Sequence, residues 1–422
     1  MVSYAVPRPE RVRVRIFPQS PLAGGPTRLA TITVVPRVGS VGPGPSDRRM
    51  YAIEAPGKRP YGPGGRPALP PWGGAVARPA MPSARGHFDH LAPGDPGFRA
   101  AHLYGCARFA LDVWQDYLGE SVPWHFARHF ERLELVALGR WPNAHMGYGY
   151  LEVGERPLPD GGLADYALNF DVVAHEIGHA LMMAFSGQFS PEVVTPDYLA
   201  LHEASADWAA MIAALHLAPV VEELLESTRG DLDTANRLNR FAEISSTQQI
   251  RMANNDRTMW DFAAGWSNEH DVAMPLIAGL FDAFVKVYEA VLLRCGAIPL
   301  ALDDLAGMAR KDAGWSGRVR AGFARAYARH PGRFHDAVAE ARTVAATMMV
   351  GLWTRADPRR FRFSEMPALL AEIDFEQFGG RLRPIVAGCL ERRGIGIVPL
   401  GPRLSAPGSD SHLHSERTMT ID

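Results

Sequence analysis

Apolar positions alternate with polar ones over Arg11-Val-Arg-Val-Arg-Ile-Phe17, and β-branched residues dominate Leu29-Ala-Thr-Ile-Thr-Val-Val35. A period of two puts every second side chain on one face, so both runs predict strands. From Phe98 to Leu118 the period changes to helical spacing and predicts one long helix. Leu133-Glu-Leu-Val-Ala-Leu138 and Met146 to Val153 then predict two further strands. The helical period returns behind Asp171, which suits an N-cap. Beyond His179 nearly everything is predicted helical: a helix through Glu203 to about Leu217, a long one from about Pro275, and others between 300 and 395.

Proline and glycine divide this pattern. Sixteen of the 34 prolines fall within residues 1–85, with Pro43-Gly-Pro45 and Pro60-Tyr-Gly-Pro-Gly-Gly-Arg-Pro67 as chain breakers. The expected organisation is therefore a Pro/Gly-rich extension with short strands over 1–85 and an α/β lobe over 86–180. A helical lobe over 181–398 and a loose polar tail over 399–422 follow. The fold class is α+β, with strands in the first lobe and helices in the second.

Length and composition narrow the class. At 422 residues the chain exceeds one ordinary core, and 47% apolar with 21% charged residues describe a globular protein. A net charge of −2 gives no bulk electrostatic case for nucleic-acid or membrane partners. The apolar run Val272 to Leu293 is interrupted by Asp282, Lys286 and Glu289, which predicts a core helix rather than a membrane span. Three widely spaced cysteines, Cys106, Cys295 and Cys389, imply no disulfide framework. The opening Met1-Val-Ser-Tyr-Ala-Val-Pro7 lacks the basic start and apolar stretch of an export signal, so a cytoplasmic location is expected.

Candidate chemistry gathers at His175-Glu-Ile-Gly-His179 and His202-Glu-Ala-Ser-Ala-Asp207. On a helix, His175 and His179 project from one face and can grip one ion, while Glu176 is offset by roughly 100° and can reach a water on it. Catalytic zinc usually takes three protein ligands, and Glu203, 24 residues after His179, is the obvious third. Asp207, one turn beyond Glu203, can accept a hydrogen bond from a ligating imidazole. The pentapeptide alone leaves open a surface helix with a solvated His-Glu-His stripe; the downstream Glu-x-x-x-Asp argues against it. His125 and His129 share the four-residue spacing but lack a neighbouring base, and with His412 and His414 they are expected at the surface.

These motifs resemble those of the thermolysin-like gluzincin metallopeptidases, in which HExxH is followed by Glu-Ala-x-x-Asp on a later helix. Asp171-Val-Val-Ala174 is similar to the family's lead-in to its active-site helix. Asn143-Ala144, with Tyr148-Gly149 behind, resembles its substrate-binding edge strand. His270, 67 residues after Glu203, lies where the family keeps a His that stabilises the transition state. The resemblance covers about residues 98–290. It implies a two-lobe fold with the zinc helix between the lobes. It also implies a Zn2+ cofactor held by His175, His179 and Glu203, with Asp207 behind, and a peptide or protein substrate hydrolysed with Glu176 as general base and His270 as oxyanion donor. Asn143, Ala144, Tyr198 and Arg251, or Arg240, are the candidate substrate contacts. Tyr198 has packing at the start of its helix as an equal alternative, and for the two arginines surface ion pairing is the favoured one. The chain departs from the family at Gly265, where an Asp usually orients the His. An aminopeptidase-type or other zinc hydrolase and a non-catalytic zinc-containing binding protein are the rival expectations. No acidic cluster for a free amine is recognisable near Asn143-Ala144, and an intact Glu176 speaks against loss of catalysis.

Overall fold

The computed structural model describes residues 10–22, 28–62, 67–158, 161–190, 192–234, 240–243, 249–310 and 313–404. The described residues are mixed α/β, 49% helical and 13% strand. It divides into two compact units, one through Ala184 and the other from Phe185 onward. Residues up to 85, expected as an extension, belong to the first unit.

The first unit contains β1 (Arg11–Ile16), β2 (Ala30–Arg37), β3 (Met50–Ala55), α1 (Phe98–Leu118), β4 (Leu133–Leu138), β5 (Ala144–Met146), β6 (Tyr150–Val153), β7 (Glu155–Pro157) and β8 (Leu163–Asp165). β1 and β2 form an antiparallel pair, as do β7 and β8. A four-stranded sheet has the order β3-β4-β6-β5, parallel except for β5 at the edge. Every residue of β4 is buried, which explains its nearly unbroken apolar sequence. The single strand expected over Met146 to Val153 is instead the end of β5 and all of β6, because Gly147-Tyr-Gly149 turns the chain, with Gly149 at φ 90°. The α1 helix touches both the β1–β2 pair and the sheet. Gly105 lets it approach β1, since a Cβ there would stand 2.9 Å from Val14 Cγ1.

The sheet buries two carboxylates, and the Pro/Gly-rich stretch after β3 satisfies them. Glu134 accepts from Tyr61 Oη at 2.6 Å, Tyr51 Oη at 3.0 Å and Trp72 N at 2.9 Å. Glu152 accepts from Tyr61 N at 2.7 Å, meets His145 Nε2 at 2.8 Å and pairs with the buried Lys58 ammonium. Buried charge is tolerable only when paired in this way, so these bonds hold Lys58, Tyr61 and Trp72 onto the sheet.

The second unit contains α3 (Pro196–Ala214), α4 (Ala218–Thr228), β9 (Arg240–Glu243), β10 (Gln249–Met252), α5 (Glu269–Arg294), α6 (Leu300–Ala309), α7 (Ser316–Arg329), α8 (Pro331–Trp353), α9 (Met366–Phe378) and α10 (Arg383–Arg392). Helix α2 (Phe170–Ser186) begins in the first unit, and its last residues belong to the second. Within the second unit α5 packs on α3, α8 and α10. It starts at Glu269, six residues before the expected Pro275, so that Pro275 lies inside the helix, where it has no N–H to donate to the carbonyl of residue 271. The antiparallel β9–β10 pair departs from the expectation of helix alone. Among the described residues no single helix is long and apolar enough to cross a membrane.

His102 on α1 is the buried titratable group whose geometry is most fully defined. Its Nδ1 donates to Ala167 O at 2.8 Å and its Nε2 accepts from Phe17 N at 2.9 Å, which fixes the neutral tautomer. Burial depresses its pKa from 6.5 to about 4. Below about pH 6.5 the unfolded chain therefore takes up a proton that the folded chain refuses until about pH 4, and stability is lost as pH falls through that window. We expect this side chain to contribute about 3 kcal/mol of acid destabilisation, from about 1.4 kcal/mol per pKa unit. Urea denaturation at pH 7 and pH 4.5 checks it: His102→Gln should show a smaller acid loss than the wild type, and equal losses would contradict the assignment.

Candidate metal centre

The HExxH helix begins because Asn169 caps it. Asn169 Oδ1 accepts from the N–H groups of Asp171 at 3.1 Å and Val172 at 3.3 Å. Asp171, expected as the cap, lies within the first turn, where its charge suits the helix dipole. Apolar side chains Val172, Val173, Ile177, Ala180 and Leu181 are buried around the helix, and His175, Glu176 and His179 are buried with them. The four-residue spacing brings the two Nε2 atoms within 3.0 Å, with the rings crossed at 86°. Two nitrogens each 2.0–2.1 Å from a tetrahedral zinc stand about 3.3 Å apart, so the pair fits a shared ion.

Thr195 starts α3: its Oγ1 accepts from Tyr198 N at 3.0 Å and donates to Phe361 O at 2.7 Å, and Pro196 opens the first turn. From Ala200 to Ala214 every residue of α3 is buried, Glu203 and Asp207 included. The ligand atoms of His175, His179 and Glu203 all lie within 4.8 Å of one another. Two imidazoles and one carboxylate form a donor set that suits zinc.

His270 stands in the first turn of α5, where Asn268 Oδ1 accepts from its backbone N–H at 2.9 Å. Its ring Nδ1 lies 2.7 Å from Glu203 Oε2, a contact that spacing alone did not disclose. Tyr198 is 2% exposed and packs against Phe189, His202 and Phe361, which is the packing alternative rather than an open substrate contact. Burial pushes its phenol up to about 12. Asn143 and Ala144 are half-buried at the start of β5, the antiparallel edge strand. Arg240 and Arg251 lie on β9 and β10, and their side chains fall outside the described residues, as do His412 and His414. His125 and His129 sit in a turn rather than a helix, with His129 exposed and bonded to Tyr148 Oη at 2.6 Å.

No protein-family model matches this chain, and no curated protein matches it either.

Gly265, the departure from the family pattern, has a physical cause. Its φ is 145°, and a Cβ would stand 2.7 Å from Leu404 Cγ. Leu404 is held there by its N–H, which donates to Trp266 O at 2.6 Å, while Trp266 N donates to Pro402 O at 3.1 Å. Placing an aspartate at this position should therefore destabilise the protein. We expect Gly265→Asp to cost about 1–3 kcal/mol from the disfavoured backbone alone. Chemical denaturation measures this, and a Leu404→Ala background should recover the part due to crowding; an unchanged midpoint for the single variant would refute the explanation.

Proposed function

We propose that the chain is a zinc-dependent metallopeptidase of the thermolysin-like type, cleaving peptide or protein substrates as an endopeptidase. The observation that carries this reading is the convergence of His175, His179 and Glu203 within 4.8 Å, with Glu176 buried on the same helix as the two imidazoles. Supporting it are the antiparallel edge strand β5, which begins at Ala144, and the strand-bearing and helical character of the two units.

His175 and His179 would hold the ion through imidazole nitrogens and Glu203 through a carboxylate oxygen. A zinc ion held there would lower the pKa of a bound water towards about 7 and polarise a carbonyl oxygen. Glu176 takes the proton from the attacking water on its carboxylate and delivers it to the leaving amine nitrogen. Peptide cleavage needs this transfer because an amine leaves poorly unless protonated. β5, from Ala144 to Met146, pairs among the described strands with β6 alone, and an extended peptide would pair with its outer edge as an added strand.

Purified protein should bind about one zinc per chain, and His175→Ala, His179→Ala or Glu203→Ala should each abolish tight binding, because two ligands cannot complete the coordination shell. Elemental analysis and chelator competition test this, and full zinc in Glu203→Ala would sink the ligand set.

Glu176→Gln should retain zinc and fold while losing nearly all hydrolysis of a peptide library. The loss should fall on kcat more than on KM, since glutamine matches the shape of glutamate but accepts no proton. Near wild-type cleavage by that variant would overturn the mechanism.

A further inference from the structure

In the first turn of α5, His270 Nδ1 lies 2.7 Å from Glu203 Oε2. We propose that His270 is a positioning residue for the third metal ligand, fixing the Glu203 carboxylate so that its other oxygen is presented to the ion. This rests on the zinc reading above and adds to it a role for this side chain that neither the motif nor its spacing contains.

Three observations carry the inference. First, an ionised carboxylate only accepts, so at 2.7 Å the Nδ1 of His270 is the donor, and the bond is short enough to be charge-assisted. Second, both groups are largely withdrawn from solvent, with side-chain exposures of 20% for His270 and 9% for Glu203. In that setting a donor on one carboxylate oxygen selects a single rotamer and favours metal binding through the other oxygen alone. Third, His270 is itself positioned independently of Glu203. Asn268 Oδ1 holds its backbone N–H at 2.9 Å, and the preceding loop is clamped by residues 401–404, with Gly401 N donating to Phe262 O at 3.0 Å and Leu404 N to Trp266 O. Leu404 also fills the space that a side chain at 265 would need. At φ 145° the backbone of residue 265 disfavours any side chain, and the His270 ring meets the candidate ligand Glu203.

A ligand held in this way is pre-organised, and removing the donor frees Glu203 to rotate. Outer-shell partners of this kind contribute about ten- to a hundredfold to metal affinity. His270→Ala should therefore weaken zinc binding by about that factor in a competition titration against a chromophoric chelator. His270→Asn places an amide N–H close to the position of Nδ1 and should restore affinity to within about threefold of the wild type, a rescue that a purely space-filling role does not predict. Circular dichroism establishes whether each variant is folded, and His270→Leu serves as the donor-free variant should the alanine protein not fold. A donor-free variant with wild-type zinc affinity overturns the proposal, and so does an Asn variant as weak as the donor-free one. A wild-type protein that binds no zinc instead defeats the zinc reading itself, so the two failures are told apart by the wild-type titration alone.

Discussion

Burying ionisable side chains on helices that are apolar on nearly every side is the constraint from which the rest of this structure follows. An α-helix hydrophobic all round must be enclosed. The helix carrying His175, Glu176 and His179 has that character, and so does α3, buried without interruption from Ala200 to Ala214. Enclosing α3 takes the long helices α5 and α8, both of which pack on it. Those helices bring a histidine, His270, to the carboxylate of Glu203, so that enclosure and chemical satisfaction of the buried group come from the same element. The first unit solves the same problem differently. There two sheet carboxylates, Glu134 and Glu152, are met by Lys58, Tyr61, Trp72 and His145, three of them from a stretch too rich in proline and glycine to form strands or helices of its own.

What could be read from the chain beforehand follows from how local each feature is. The limits of α1 and β4 coincide with their hydrophobic patterns, because burial of those residues is dictated by period alone. The convergence of His175 with His179 was equally legible, being a property of one helix. The helix cap was not: Asp171 and Asn169 both suit the role, and only the direction of the chain before Phe170 selects Asn169. Gly147 and Gly149 signalled the break between β5 and β6, yet the apolar residues on either side masked it. The partner of His270 was out of reach, since 67 residues separate it from Glu203 and only the packing of α5 on α3 joins them. The same holds for Gly265, whose meaning depends on Leu404, far along the sequence.

The clamp of residues 401–404 on the loop ending at Trp266 has a consequence for the order in which this protein can be completed. Synthesis delivers α5 and its histidine long before it delivers Leu404. Until that residue arrives, the stretch around Gly265 lacks the backbone partners that Trp266 finds in Pro402 and Leu404. The finishing of the loop before His270 is therefore coupled to the extent of translation: a nascent chain short of residue 404 carries every residue of the candidate centre but not the brace beside it.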